Sequence, residues 1–180
     1  MKTSYLFLSD CVEEVEAMAV VDILRRAEIP VETISMNETT TLLSSHGVRI
    51  EADRLFVKGE LLEADYLILP GGSTKLNEYD QLKELLVEHA QRGGRIAAIC
   101  AAPMVLGGLG LLDGKRATCY MGFEQTLTGA TFVAQPVVVD GSTITANGPA
   151  SALKFAFALV EQIRGLECAN AIKEQMMVEE

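Results

Sequence analysis

Two residues in this chain are placed where they can do chemistry: a cysteine at a sharp turn and a carboxyl among apolar neighbours. Cys100 sits inside Arg95–Gly108, which reads RIAAICAAPMVLGG. Ile96–Ile99 has the character of a short apolar strand, and the small residues after Cys100, with Pro103, open a helix. Ala98 and Ala102 flank the cysteine with small side chains, as a nucleophile elbow requires, so that the sulfur would stand above a sheet. A position at a helix N-terminus also favours thiolate over thiol, through free N–H groups and the helix dipole. The competing reading is a core cysteine ending a central strand, because free cysteine is among the most buried residue types.

Glu16 is the second residue. Glu13 and Glu14 read as solvated acids of a first helical turn, but Glu16 lies among Val15, Ala17 and Met18. A buried carboxylate costs several kcal/mol unless paired, so this acid is expected to keep its proton and donate it in a hydrogen bond to a neighbouring thiolate. Gly71 and Gly72 follow an apolar strand at Tyr66–Leu69. With the N–H of Ala101 they are candidate backbone donors to the sulfur or to a bound carbonyl. Cys119 has two readings, a resolving thiol for an oxidised Cys100 or a small apolar strand residue.

The elements that must position these residues alternate along the chain. Tyr5–Leu8 reads as a first strand and Glu13–Ala27 as a helix with Val15, Met18, Ala19 and Ile23 on its apolar side. Val31–Met36 reads as a second strand, and Thr39–Asp53 as a hairpin or edge excursion around Ser45-His46-Gly47. Gln81–Gln91 is an amphipathic helix stopped by Gly93-Gly94, with His89 on its surface. Short strands follow at Thr131–Val133, Pro136–Val139 and Thr143–Ala146, then helices at Pro149–Arg164 and Glu167–Met177. Alternation of this kind implies one domain over residues 1–180, a doubly wound, mostly parallel sheet with helices on both faces. Ligands of such sheets bind beyond the carboxyl ends of the strands, where both Gly71-Gly72 and Cys100 fall.

Composition narrows the function. The formal charge of −10 over 180 residues, without a Lys/Arg cluster, disfavours nucleic acid as a partner. No apolar run approaches the ~18–20 residues of a membrane helix, and the first residues lack a signal-peptide pattern, so a cytoplasmic location is expected. The four cysteines show no CxxC and no zinc-ligand spacing with the two histidines, so free thiols and no metal are expected. No phosphate loop or dinucleotide fingerprint is present, and no cofactor is expected.

The motifs EEVE at Glu13–Glu16, VVDILRRA at Val20–Ala27, LILPGG at Leu67–Gly72, RIAAICAAP at Arg95–Pro103, LLDGKRAT at Leu111–Thr118 and NGPASALKFAFALVE at Asn147–Glu161 occur in this order. In that order they resemble the ThiJ/PfpI superfamily, in the branch containing Parkinson disease protein 7 and bacterial ThiJ-like proteins. The resemblance covers nearly the whole chain. It implies a flavodoxin-like fold (class I glutamine amidotransferase-like) and a homodimer with its contact at the first helix and the Ser45–Gly47 hairpin. It also implies an oxidation-prone nucleophile at Cys100, a hydrogen-bonding acid at Glu16 and backbone donors at Gly72 and Ala101. Arg26 and His46 are implied near the pocket rim. Protease-like members carry a histidine where this chain has Ala101, which argues against peptidase activity. In the close branch a histidine lies near the sulfur at a position matched here by Tyr120, whose phenol is a poor base at neutral pH.

Two functions from different classes follow. One is a cofactor-free glyoxalase or deglycase acting on a small aldehyde such as methylglyoxal, or on a glycated protein. The other is a sensor or protective chaperone in which Cys100 oxidises to sulfinate without turnover.

Overall fold

The computed structural model describes residues 1–61 and 63–178. In chain order the elements are β1 (Ser4–Leu8), α1 (Glu14–Arg26), β2 (Val31–Ser35), β3 (Thr41–Leu43), β4 (Arg49–Glu51), β5 (Arg54–Leu55), β6 (Tyr66–Leu69) and α2 (Asp80–Gln91). They continue with β7 (Arg95–Ile99), α3 (Pro103–Gly108), β8 (Arg116–Ala117), β9 (Thr131–Phe132), β10 (Val137–Asp140), β11 (Thr143–Ala146), α4 (Ala152–Arg164) and α5 (Leu166–Gln175). Seven strands form one sheet in the order β10-β11-β7-β6-β1-β2-β5, parallel except for the β10–β11 hairpin. β3 and β4 form a separate antiparallel hairpin, the first of the two readings of that segment. This is the doubly wound, mostly parallel α/β architecture the alternation implied, and the flavodoxin-like fold the resemblance implied.

Alternate residues of the central strands enter opposite cores, as the period of two dictates. Leu6, Leu8, Ile68, Ala97 and Ile99 pack under α1, α4 and α5. Phe7, Leu67, Leu69, Ile96 and Ala98 pack under α2 and α3. Burial on both faces explains why these strands are continuously apolar.

The strand order fixes where a site can form. From β1 the chain moves to β2 on one side, then returns to lay β6 on the other. The connections leaving β1 and β6 therefore diverge, which opens a crevice at their carboxyl ends. β7 ends beside them and delivers Cys100 to the same edge.

Two expectations are corrected here. The buried stripe of α1 is Glu16, Ala17, Val20, Ile23 and Leu24, while Val15 and Met18 are 52% and 37% exposed. Glu16 is on the core face because it lies one turn before Val20. His89 is buried, not on the surface, with Nε2 3.2 Å from the Arg95 carbonyl oxygen. It fits because residue 94 is glycine, where a Cβ would come within 2.3 Å of the imidazole.

Candidate active site

Cys100 follows β7 directly and has φ +66°, a left-handed conformation that costs a non-glycine residue about 1–3 kcal/mol. Two backbone bonds hold it there: its N–H donates to the Ala146 carbonyl at 2.9 Å, and its carbonyl accepts from the Tyr120 N–H at 2.8 Å. The strained elbow read from the sequence is present, and the side chain is only 8% exposed.

The glycine pair divides its work. The Gly71 N–H donates to Glu16 Oε2 at 2.7 Å. It is therefore not the donor to the sulfur that the sequence suggested. The Gly72 and Ala101 N–H groups do face the sulfur. Both glycines are required by close approach. A Cβ on Gly71 would lie 2.6 Å from Cys100 Cβ and 3.0 Å from Sγ. Gly72, at φ +99°, would place one 2.2 Å from the Glu13 nitrogen and 2.3 Å from the Cys11 carbonyl oxygen.

Glu16 is fully buried, and its carboxyl contacts the Cys100 thiol. Among the described residues its Oε1 has no hydrogen-bond partner of its own. Burial pushes the carboxyl up to about 7, against the bond from Gly71. Burial also pushes the thiol up to about 12, reinforced by the charge of ionised Glu16 and opposed by the Gly72 and Ala101 N–H groups. The thiolate expected from a helix N-terminus is not favoured, because α3 begins only at Pro103 and is six residues long. Desolvation outweighs the two backbone donors. Above the Glu16 value the pair retains one proton between two groups in contact.

A cleft of about 370 Å³ opens onto the sulfur, walled by Glu13, His46, Gly72, Ala101 and Tyr120 among others. Glu13 is a buried N-cap of α1, not a solvated acid, and its Oε1 accepts from the Val15 N–H at 3.4 Å. The hairpin tip brings His46 to the rim of its own chain's cleft, with Nδ1 3.1 Å from Glu14 Oε1 and 3.5 Å from Glu13 Oε2. These three residues bring ligand atoms within 4.8 Å of one another, but at the positive end of α1, which disfavours a cation. Tyr120 is 40% exposed and stands beside the elbow, where the sequence placed it.

Arg26 and Cys119 are not brought to the sulfur. Arg26 lies ten residues beyond Glu16 on the same helix, about 15 Å along it, and pairs with Asp22 at 2.8 Å. Cys119 is buried in the core under α2 and α3, whereas Cys100 packs into the opposite one. Burial and the Glu124 charge push the Cys119 thiol up to about 11. The sequence reading missed Ser73, Thr74, Phe123 and Pro149, which also line the cleft. For Ser73 and Thr74 a signal existed, since they follow the glycine pair at the carboxyl end of a strand.

The DJ-1/PfpI family model matches residues 2–162. The chain is 34% identical over 175 residues to Protein DJ-1 homolog B of Arabidopsis thaliana, covering 95% of this chain and 40% of that protein. It is 33% identical over 182 residues to Protein dj-1beta of Drosophila melanogaster, covering 98% and 97% of the two chains. Glutathione-independent glyoxalase DJR-1.2 of Caenorhabditis elegans is 32% identical over 164 residues, 89% of this chain and 87% of that one. The chain thus spans less than half of one of these relatives and nearly all of the others. Among solved structures, Drosophila DJ-1beta superposes with a TM-score of 0.91 at 32% identity over 99% of both chains. Oxidised Toxoplasma gondii DJ-1 gives 0.91 at 31% identity over 98% of both. Among the described residues no helix is long and apolar enough to cross a membrane.

Proposed function

The chain belongs to the DJ-1/PfpI family, and from that premise we propose that it is a cofactor-free enzyme of small reactive carbonyls, with Cys100 as nucleophile and Glu16 as proton carrier. The observation that carries this reading is the contact between a buried carboxyl and a buried thiol at the floor of an open cleft. A relative named as a glutathione-independent glyoxalase supports the substrate class.

The chemistry follows from the pair. Passing the thiol proton to Glu16 changes no net charge, and it leaves a thiolate facing the Gly72 and Ala101 N–H groups. The sulfur adds to the aldehyde carbon of a 2-oxoaldehyde. The carbonyl electron pair moves to oxygen beside those same donors, and Glu16 returns the proton to it. Glu16, now ionised, takes the proton from that carbon and returns it to the neighbouring carbonyl carbon, while the hydroxyl proton of the first carbon passes to the neighbouring oxygen, which leaves a 2-hydroxy thioester. Water then cleaves the thioester. One water is added overall, the aldehyde carbon is oxidised and the ketone carbon reduced, so no redox cofactor is consumed. An early 2-oxoaldehyde adduct of a protein amine joins the same route when the sulfur forms its bond to the adduct carbon, the carbon–nitrogen bond breaks and the amine leaves with a proton. The reading includes a homodimer through the exposed Val15 and Met18 face of α1 and the β3–β4 hairpin, and a cytoplasmic location.

The test is lactate formation from methylglyoxal with thiols and cofactors absent, beside Cys100→Ser and Glu16→Gln. The reading expects turnover that both variants lose. Turnover equal to the Cys100→Ser background overturns it.

The Gly72 and Ala101 donors also favour a second reading, a redox sensor, because they would hold the oxygens of a Cys100 sulfinate. A solved relative is described as oxidised. This reading expects a +32 Da product confined to Cys100 under peroxide, and oxidation at similar rates on all four cysteines defeats it.

A further inference from the structure

Beside the Cys100 cleft lies a second cleft of about 350 Å³, and Tyr120 and Pro149 wall both. The first cleft is oversized for the smallest substrates. A three-carbon dicarbonyl has five non-hydrogen atoms, roughly 150 Å³ at the ~30 Å³ that each water-sized group occupies, less than half of 370 Å³. The second cleft has the wrong walls for a charged extension. Three large exposed apolar side chains surround it, Tyr120, Met121 and Phe132, at 40%, 77% and 43%. A cluster of this kind on a protein surface marks a binding groove.

Two of its polar side chains are engaged within the chain. Both oxygens of Glu124 accept from the Gly122 N–H, at 3.1 and 2.9 Å. Asn147 Oδ1 accepts from the Ser151 hydroxyl at 2.6 Å. What the cleft chiefly presents to a ligand is the apolar and aromatic surface of Tyr120, Met121 and Phe132. Tyr120 is the partition between the two clefts, and its main chain is fixed to the elbow by its bond to the Cys100 carbonyl.

We propose that this second cleft is a specificity subsite, which takes an uncharged aryl or other bulky apolar group attached to a carbonyl held at Cys100. The proposal rests on the carbonyl reading for its substrate class, but the subsite itself is a matter of shape and can be read without turnover.

Two measurements separate these. The first is the alkylation rate of Cys100 by iodoacetanilide relative to iodoacetamide, followed peptide by peptide, with exposed Cys11 as internal reference. In each case a carbon–sulfur bond forms, iodide leaves and the thiol proton goes to solvent. The aryl reagent is expected to be favoured at Cys100 on the order of tenfold over its ratio at Cys11. The preference should fall severalfold in Phe132→Ala, which removes a wall, and in Ala134→Trp, which fills the cleft. The second is the kcat/KM ratio of phenylglyoxal to methylglyoxal in the same three proteins, with the same order expected. Absence of turnover with an intact labelling preference overturns the carbonyl reading and leaves the subsite standing. A Cys100 labelling ratio equal to that of Cys11, or unchanged in both variants, overturns the subsite whatever the turnover.

Discussion

The N–H of Gly71 meets Glu16 Oε2 at 2.7 Å across 55 residues of sequence, and the same glycine's missing side chain lets Cys100 approach that carboxyl. One residue thus serves as donor and as gap. Gly71→Ala would put a methyl group 2.6 Å from Cys100 Cβ and 2.9 Å from Glu16 Oε2. Cys100 Cβ is fixed to the backbone and cannot swing aside, so overpacking of about 1–3 kcal/mol is expected. Urea melts would show that loss, together with a fall in the alkylation rate of Cys100.

Glu16 makes stability depend on pH in the sense opposite to an ordinary surface carboxyl. Its value rises from 4.5 to about 7 on folding, so the folded chain binds this proton more tightly than the unfolded one. The stabilisation is complete below 4.5 and is lost as pH rises through 7. Glu16→Gln removes the charge but keeps an oxygen for Gly71. The variant is expected to melt above the native protein at pH 8 and to lose the decline between pH 4.5 and 7. Identical Tm-against-pH curves would refute the assignment.

His89 works in the other direction. Burial is the main cause of its lowered value, so folding favours the neutral imidazole. That contribution is present above the unfolded value of about 6.5 and is lost as pH falls below it. Gly94→Ala, which drives a Cβ to within 2.3 Å of the ring, should cost about 1–3 kcal/mol. Calorimetry at pH 7.5 and pH 5.5 in a Glu16→Gln background, where the opposing Glu16 contribution is absent, tests both statements, since stability there must fall at the lower pH by a margin that His89→Gln reduces.

Cys119 and Cys100 pack into different cores, so a disulfide between them requires the side chains to leave that packing. Mild peroxide is expected to add oxygen to Cys100 and not to remove two hydrogens from the pair. Intact mass should rise by the same amount in Cys119→Ser. A native protein showing a loss of 2 Da that Cys119→Ser abolishes would restore the resolving role.

Much of this protein is written locally. Periodicity and turn residues place the strands, the helix carrying Glu16, and the small-residue elbow at Cys100, because each depends on neighbours a few positions away. The motif order also locates the glycine pair at a strand end. Other properties depend on distant segments. Glu13 and His89 look like solvated groups in their own helices and are buried only because the β6 loop and Gly94 close over them. Val15 and Met18 look like core and face outward, since the packing of α1 on α4 selects the Glu16–Val20–Leu24 face instead. The thiol's charge is decided the same way: a local reading sees a helix N-terminus, while the folded chain surrounds the sulfur with a carboxyl and apolar walls. Desolvation is a property of everything within a few ångströms, and the residues around Cys100 come from widely separated stretches of the chain.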